Sequence, residues 1–131
     1  MALRDEIRTQ ARSIFRTSWP TPRAGRVVPT PSSLGLGNEA VEFEEAAILY
    51  ADLNGSTKLV DNHYWSFAAE IYKTFLYAAA RIIRNGGGEI TAYDGDRIMA
   101  VFIGDDICVK AVNCALRLNY CVENILQDEM K

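Results

Sequence analysis

Apolar residues recur at helical spacing from the first residues of the chain. Leu3, Ile7, Ala11 and Ile14/Phe15 share one face, and Arg4, Arg8, Arg12 and Arg16 repeat every fourth residue beside it. This spacing predicts an amphipathic helix over residues 1–19 with an arginine stripe. A solvated face is the plain reading of such a stripe, and a docking surface for an acidic partner or an anionic membrane is the sharper one. All four prolines (Pro20, Pro22, Pro29, Pro31), with Gly25, Gly35 and Gly37, then fall before residue 45, a composition that predicts a linker or arm over 20–45. The globular part is expected over 46–131.

There the pattern becomes regular. Ala46 to Leu53 (AAILYADL) is a short, nearly continuous apolar run, the pattern of a strand buried on both faces. Asn54-Gly55-Ser56-Thr57 breaks it. A long helix is predicted from about Asp61 to Arg84, and its apolar residues (Trp65, Phe67, Ile71, Tyr72, Phe75, Leu76, Ile82, Ile83) exceed a single stripe, so it must be covered on two sides. Gly86-Gly87-Gly88 stops it. Two β-rich runs, Glu89 to Tyr93 and Arg97 to Ile103, flank Asp94-Gly95-Asp96, a hairpin signal, and Asp105 or Asp106 is placed to cap a last helix running to about Gln127. The order strand, helix, strand, hairpin, strand, helix predicts an α+β fold of the ferredoxin-like βαββαβ type. Its antiparallel sheet carries helices on one face, with the first and third strands side by side and the last strand missing from this chain.

Composition narrows the class. The 131 residues are 49% hydrophobic and 24% charged with a formal charge of −3, the proportions of a soluble globular domain with no call for a nucleic-acid partner. No apolar run approaches the ~20 residues of a membrane-spanning helix, and no apolar signal core opens the chain, which points to a cytoplasmic protein. Cys108, Cys114 and Cys121 are odd in number and lack a C-x-x-C pair, which fits reduced core thiols better than disulfides or zinc.

Two carboxylates carry the candidate chemistry. Asp52 lies inside an apolar strand, where an ionised acid is costly without a cation or donors. In the expected topology it converges with Asp96 at one sheet edge. A hard cation such as Mg²⁺ would relieve their repulsion, and paired Mg²⁺ ions serve phosphoryl chemistry. Arg97 is the competing partner, but strand alternation turns it away from Asp96, which favours metal. Asn54-Gly55-Ser56-Thr57 could hold phosphate oxygens through free backbone N–H groups, or Ser56 or Thr57 could simply cap a helical turn. The triple glycine lacks the following Lys-Ser/Thr of a phosphate loop, and His63, at the exposed start of a helix, is given no role, since a Ser/His/Asp or Cys/His arrangement would need a better-placed base.

These residues resemble a known pair of motifs. Ile48-Leu49-Tyr50-Ala51-Asp52-Leu53-Asn54-Gly55-Ser56-Thr57 is similar to the F-x-D-[IL]-x-G-[FS]-T signature of class III nucleotide cyclases. Gly95-Asp96 followed by Ile98-Met99-Ala100-Val101-Phe102 resembles their G-D-x-x-[ML]-A-x-F motif, and the spacing between the two also fits. The resemblance spans residues 46 to 127. It implies that Asp52 and Asp96 bind two Mg²⁺ or Mn²⁺ ions with the Leu53 carbonyl as a further ligand, that residues 54–57 hold the triphosphate, and that the chain works as an antiparallel homodimer with sites at the interface.

Two departures from the family pattern sharpen the expectation. The lysine by which purine cyclases read the base is replaced by Ala92, while Tyr50 and Arg97 add hydrogen-bonding groups, giving a base-binding set of Tyr50, Ala92 and Arg97. This combination resembles the uridylate and cytidylate cyclases of bacterial Pycsar anti-phage systems, and implies UTP as substrate and cyclic UMP as product. The family's transition-state asparagine and arginine would lie beyond Lys131, so the chain is expected to be C-terminally truncated and to turn over weakly by itself. Gly86-Gly87-Gly88-Glu89 superficially resembles the signature of diguanylate cyclases but precedes the second strand instead of lying in the hairpin. A cytidylate or purine cyclase, or a non-catalytic nucleotide-binding or dimerisation module, is the alternative function.

Overall fold

The computed structural model describes residues 2–34, 38–55, 58 and 61–130. Its contacts form two compact units, residues 1–44 and 45–131.

In the first unit, helix α1 (Leu3–Arg16) places Asp5 and Glu6 in its first turn and Arg16 in its last, each complementing the helix dipole. Asn38 closes its C-terminus, its side-chain amide donating to the carbonyls of Ile14 at 3.3 Å and Thr17 at 2.6 Å. All four stripe arginines are exposed, as are Leu3, Ile7, Ile14 and Phe15. The proline-rich stretch still forms a minimal parallel pair, β1 (Arg23–Ala24) with β2 (Val41–Glu42), around a single helical turn, α2 (Pro31–Leu34).

The second unit is built on β3 (Ala47–Asp52), α3 (Trp65–Asn85), β4 (Glu89–Asp94), β5 (Arg97–Phe102) and α4 (Ile107–Cys121). The sheet order is β3-β5-β4 with both pairings antiparallel, so the first and third strands of this unit are neighbours. Helices α3 and α4 both pack on the sheet and against each other, which puts them on one face. Phe75, Ala79 and Ile83 of α3, Ile98, Ala100 and Phe102 of β5, and Cys114 and Leu118 of α4 form the core.

The first strand departs from its expected double burial. Along β3, half-buried Ala47, Leu49 and Ala51 alternate with exposed Ile48, Tyr50 and Asp52, and no described element covers the second face. Ile48 and Tyr50 carry large apolar surface on the exposed face, so a one-sided strand has the composition of a two-sided one.

Helix α3 starts later than the periodicity suggested, since residues 61–62 are helical but His63 and Tyr64 interrupt the run. The His63 ring instead packs against that of Phe67, with centroids 5.3 Å apart and planes tilted by 39°. The sheet and α4 cover α3 on two sides, while Trp65 remains exposed. At its end Gly86 approaches α4 so closely that a Cβ there would overlap the Cys114 sulfur. Asp106 occupies the N-cap position of α4 in the left-handed conformation, φ 52°, yet its side chain makes no capping bond. The helix continues past Cys121 through a π-helical turn, Val122–Leu126, into Gln127–Glu129.

Candidate active site

The hairpin positions the site. Asp94 pairs with Arg97 across a two-residue turn, Gly95–Asp96, with Gly95 at φ 60°, the conformation that puts glycine first in a type II′ turn. The Leu53 N–H donates to the Asp96 carbonyl at 3.3 Å, tying the turn to the end of β3. Asp52 and Asp96 are thereby brought to the same sheet edge.

Arg97 lies between the two acids. It is the register partner of Asp52, so both side chains point to the open face. Its Nε is 3.6 Å from Asp52 Oδ2 and 4.0 Å from Asp96 Oδ1. The expectation that strand alternation would turn Arg97 away from Asp96 is therefore corrected, because Asp96 sits in the turn, where alternation does not apply. Burial is corrected too: the Asp52 side chain is 50% exposed and that of Asp96 17%, so Asp52 bears no full desolvation cost. A hydrogen bond to the Tyr50 hydroxyl, reinforced by the charge of Asp52, holds the Arg97 guanidinium above its ordinary pKa.

The three base-binding candidates share this open face. Tyr50 and Ala92 both pair with Met99, one from each side, and Arg97 lies two residues along β5. The pairing of Ala92 depends on a bulge between Ile90 and Ala92, with the Thr91 hydroxyl donating to the Met99 carbonyl at 3.4 Å. The register therefore adds two residues that motif reading passed over. Met99 lies between Tyr50 and Ala92, and Asp94 stands across β5 from Asp52. The hairpin arithmetic could have found Asp94, since a two-residue turn at Gly95–Asp96 makes it the partner of Arg97.

Asn54 and Gly55 form an exposed turn directly after β3, with Gly55 at φ 76° and open space where a side chain would project. Ser56 and Thr57 lie outside the described residues. A cavity of about 560 Å³ adjoins this turn, lined by Asp52, Asn54, Phe75, Asn119 and Met130 among others. The donor set fits a hard divalent cation: two carboxylates within 4.0 Å of one nitrogen, a neighbouring backbone carbonyl at Leu53, and solvent access that leaves positions for water or phosphate. Among the described residues no group of three or more acidic, histidine or cysteine side chains forms a metal cluster, so a cation here would rely on such additional oxygens.

No protein-family model matches the chain. It is 46% identical over 128 residues to a uridylate cyclase of Burkholderia cepacia and 44% identical over 126 residues to one of Xanthomonas perforans. A uridylate cyclase of Rhodovulum sp. (strain MB263) is 33% identical over 131 residues. The matches take in 97%, 96% and 100% of this chain but 56%, 54% and 54% of those proteins, so the chain spans about half the length of the curated relatives it matches. Among solved structures, a bacterial light-regulated adenylyl cyclase superposes with a TM-score of 0.53 at 23% identity, over 56% of this chain and 38% of that one. A second structure of the same description gives 0.50 at 22% identity, over 56% and 22%. At such identity the superposition speaks for the fold alone. The chain has the class III nucleotide cyclase fold and is, over nearly all its length, a homologue of bacterial proteins named uridylate cyclase.

Proposed function

We propose that this chain carries the metal-binding part of a nucleotide cyclase that converts UTP to 3′,5′-cyclic UMP and pyrophosphate. The observation that carries this reading is the convergence of Asp52 and Asp96 on one solvent-accessible edge, in a chain 46% identical to a protein named uridylate cyclase. Asp52, Asp96 and the Leu53 carbonyl would hold two Mg²⁺ or Mn²⁺ ions. Bound there, the ions would lower the barrier to deprotonating the ribose 3′-hydroxyl and neutralise the departing phosphates.

The reaction is an in-line displacement. The 3′-oxygen loses its proton and bonds to the α-phosphorus as the bond from that phosphorus to the β-phosphate bridging oxygen breaks, releasing pyrophosphate. Asn54, Gly55, Ser56 and Thr57 would bind the triphosphate. Tyr50, Ala92 and Arg97 would form the base-reading surface: Ala92 leaves no lysine to favour a purine, and the Arg97 guanidinium and Tyr50 hydroxyl offer hydrogen bonds suited to the carbonyls of uracil.

The exposed apolar row on the helix-free face, with Ile48 66% exposed and Tyr50 54% exposed, supports a homodimer that covers it. We place the protein in the cytoplasm, supplying a second messenger in anti-phage defence. No described helix is long and apolar enough to cross a membrane.

Product analysis by mass spectrometry tests the reading, with the full-length protein, Mg²⁺ or Mn²⁺, and equal ATP, GTP, CTP and UTP. Cyclic UMP as the dominant product supports it. Cyclic CMP, AMP or GMP would keep the cyclase and overturn the base assignment, and no cyclic product would favour a nucleotide-binding or dimerisation module.

A further inference from the structure

Arg97 lies between the two acids, a place that base reading does not require. Its Nε stands 3.6 Å from Asp52 Oδ2 and 4.0 Å from Asp96 Oδ1, and Tyr50 stands two residues from Asp52 on the same face of β3. We propose that Arg97 is the resident counter-cation of the Asp52–Asp96 pair, displaced from those carboxylates by the divalent cation and then retained by Tyr50 on the open face, where it is free to meet an anionic substrate. The inference rests on the metal-binding reading above and adds an exchange between two cations for the same oxygens.

Three observations carry it. First, two carboxylates face the one guanidinium nitrogen, so Arg97 does not satisfy both in full. Second, the contacts are longer than the ~2.7–2.9 Å of a strong charge-assisted hydrogen bond, and the Arg97 side chain is 47% exposed, so the guanidinium is held loosely enough to leave. Third, Mg²⁺ takes oxygen ligands at ~2.0–2.1 Å in near-octahedral geometry, which claims the lone pairs that now face Arg97. Tyr50 stands two residues along β3 on the same face, where its hydroxyl can accept from the released guanidinium. Cation binding and presentation of a positive group to substrate would then be a single event.

Mn²⁺ affinity, read by electron paramagnetic resonance of the free ion in the nucleotide-free full-length protein, tests this for the wild type and Arg97→Gln. Removing a unit positive charge that competes for the same oxygens is expected to tighten Mn²⁺ binding about tenfold. In the ¹⁵N-labelled wild type, titrated Mg²⁺ should shift the Arg97 Nε–H resonance at the concentrations that saturate the site. Equal or weaker Mn²⁺ binding by Arg97→Gln overturns the exchange while leaving the metal reading in place, as does an Arg97 resonance that stays fixed at saturation. Absence of Mn²⁺ binding to both proteins overturns the metal reading and the exchange together.

Discussion

Asp52 and Arg97 are register partners across β3 and β5, with Oδ2 and Nε 3.6 Å apart on the helix-free face. The pair is half exposed, so it adds little to stability. Asp52→Asn and Asp96→Asn should each lower cyclase turnover of the full-length protein by about 100-fold or more, the order found when a preorganised charge-stabilising group is removed. Far-UV circular dichroism and the unfolding midpoint should stay unchanged. Retained turnover in either variant would end the assignment of these acids as metal ligands.

Tyr50 joins the acid cluster to the row that holds Ala92. Tyr50→Phe deletes only the hydroxyl that helps to raise the Arg97 pKa, preserving ring volume and strand propensity. If the two side chains read the base together, the ratio of cyclic UMP to other cyclic products in a four-nucleotide competition should fall by about tenfold, the scale on which a lost polar contact changes selection. A proportionate fall in all products would assign Tyr50 to general positioning of the site.

The outline of the second unit was legible because its signals are local. Asp94-Gly95-Asp96 announced the hairpin, Gly86-Gly87-Gly88 the end of α3, and the strand-helix-hairpin order the neighbouring of β3 and β5. What escaped depends on which face is covered. Ile48 and Tyr50 are apolar but exposed, so the run over β3 could not reveal that one face is open, and Asp52 looked buried for the same reason. The bulge at Thr91 has no compositional mark, and it alone pairs Ala92 with Met99 opposite Tyr50. Alternation does not extend into the turn, so it does not predict that Arg97 and Asp96 lie together.

The cysteines should separate by environment. Cys108 is exposed, Cys121 half-buried and Cys114 buried, with burial raising the Cys114 pKa and Arg117 opposing that rise. A thiol-specific reagent at neutral pH should label Cys108 first, Cys121 more slowly and Cys114 only as the protein opens. The sign of the stability effect follows from the same shift. A thiol whose folded pKa lies above its ordinary value of 9.0 favours folding at lower pH, and that contribution declines as the pH rises from 9.0 through the folded value. Cys114→Ala should flatten the alkaline end of the stability profile, and an unaltered profile would assign the decline to other groups.

Gly86 and Cys114 set how closely the end of α3 approaches α4. Gly86 has φ −82°, open to any residue, so the demand for glycine is steric: an added Cβ would overlap the Cys114 sulfur. The same sulfur lies 3.7 Å from the Ile82 carbonyl, which fixes the contact from a second direction. Gly86→Ala should destabilise the protein by about 1–3 kcal/mol through overpacking, and Cys114→Ala by about 1 kcal/mol through the small cavity it leaves. The double variant should lose less than the sum of the two, by roughly 0.5 kcal/mol or more, because the new methyl fills the space the sulfur vacates. Denaturant unfolding of all four proteins measures the cycle. Strict additivity would mean that Gly86 and Cys114 do not share this space and that the helices pack with a looser contact than their approach here.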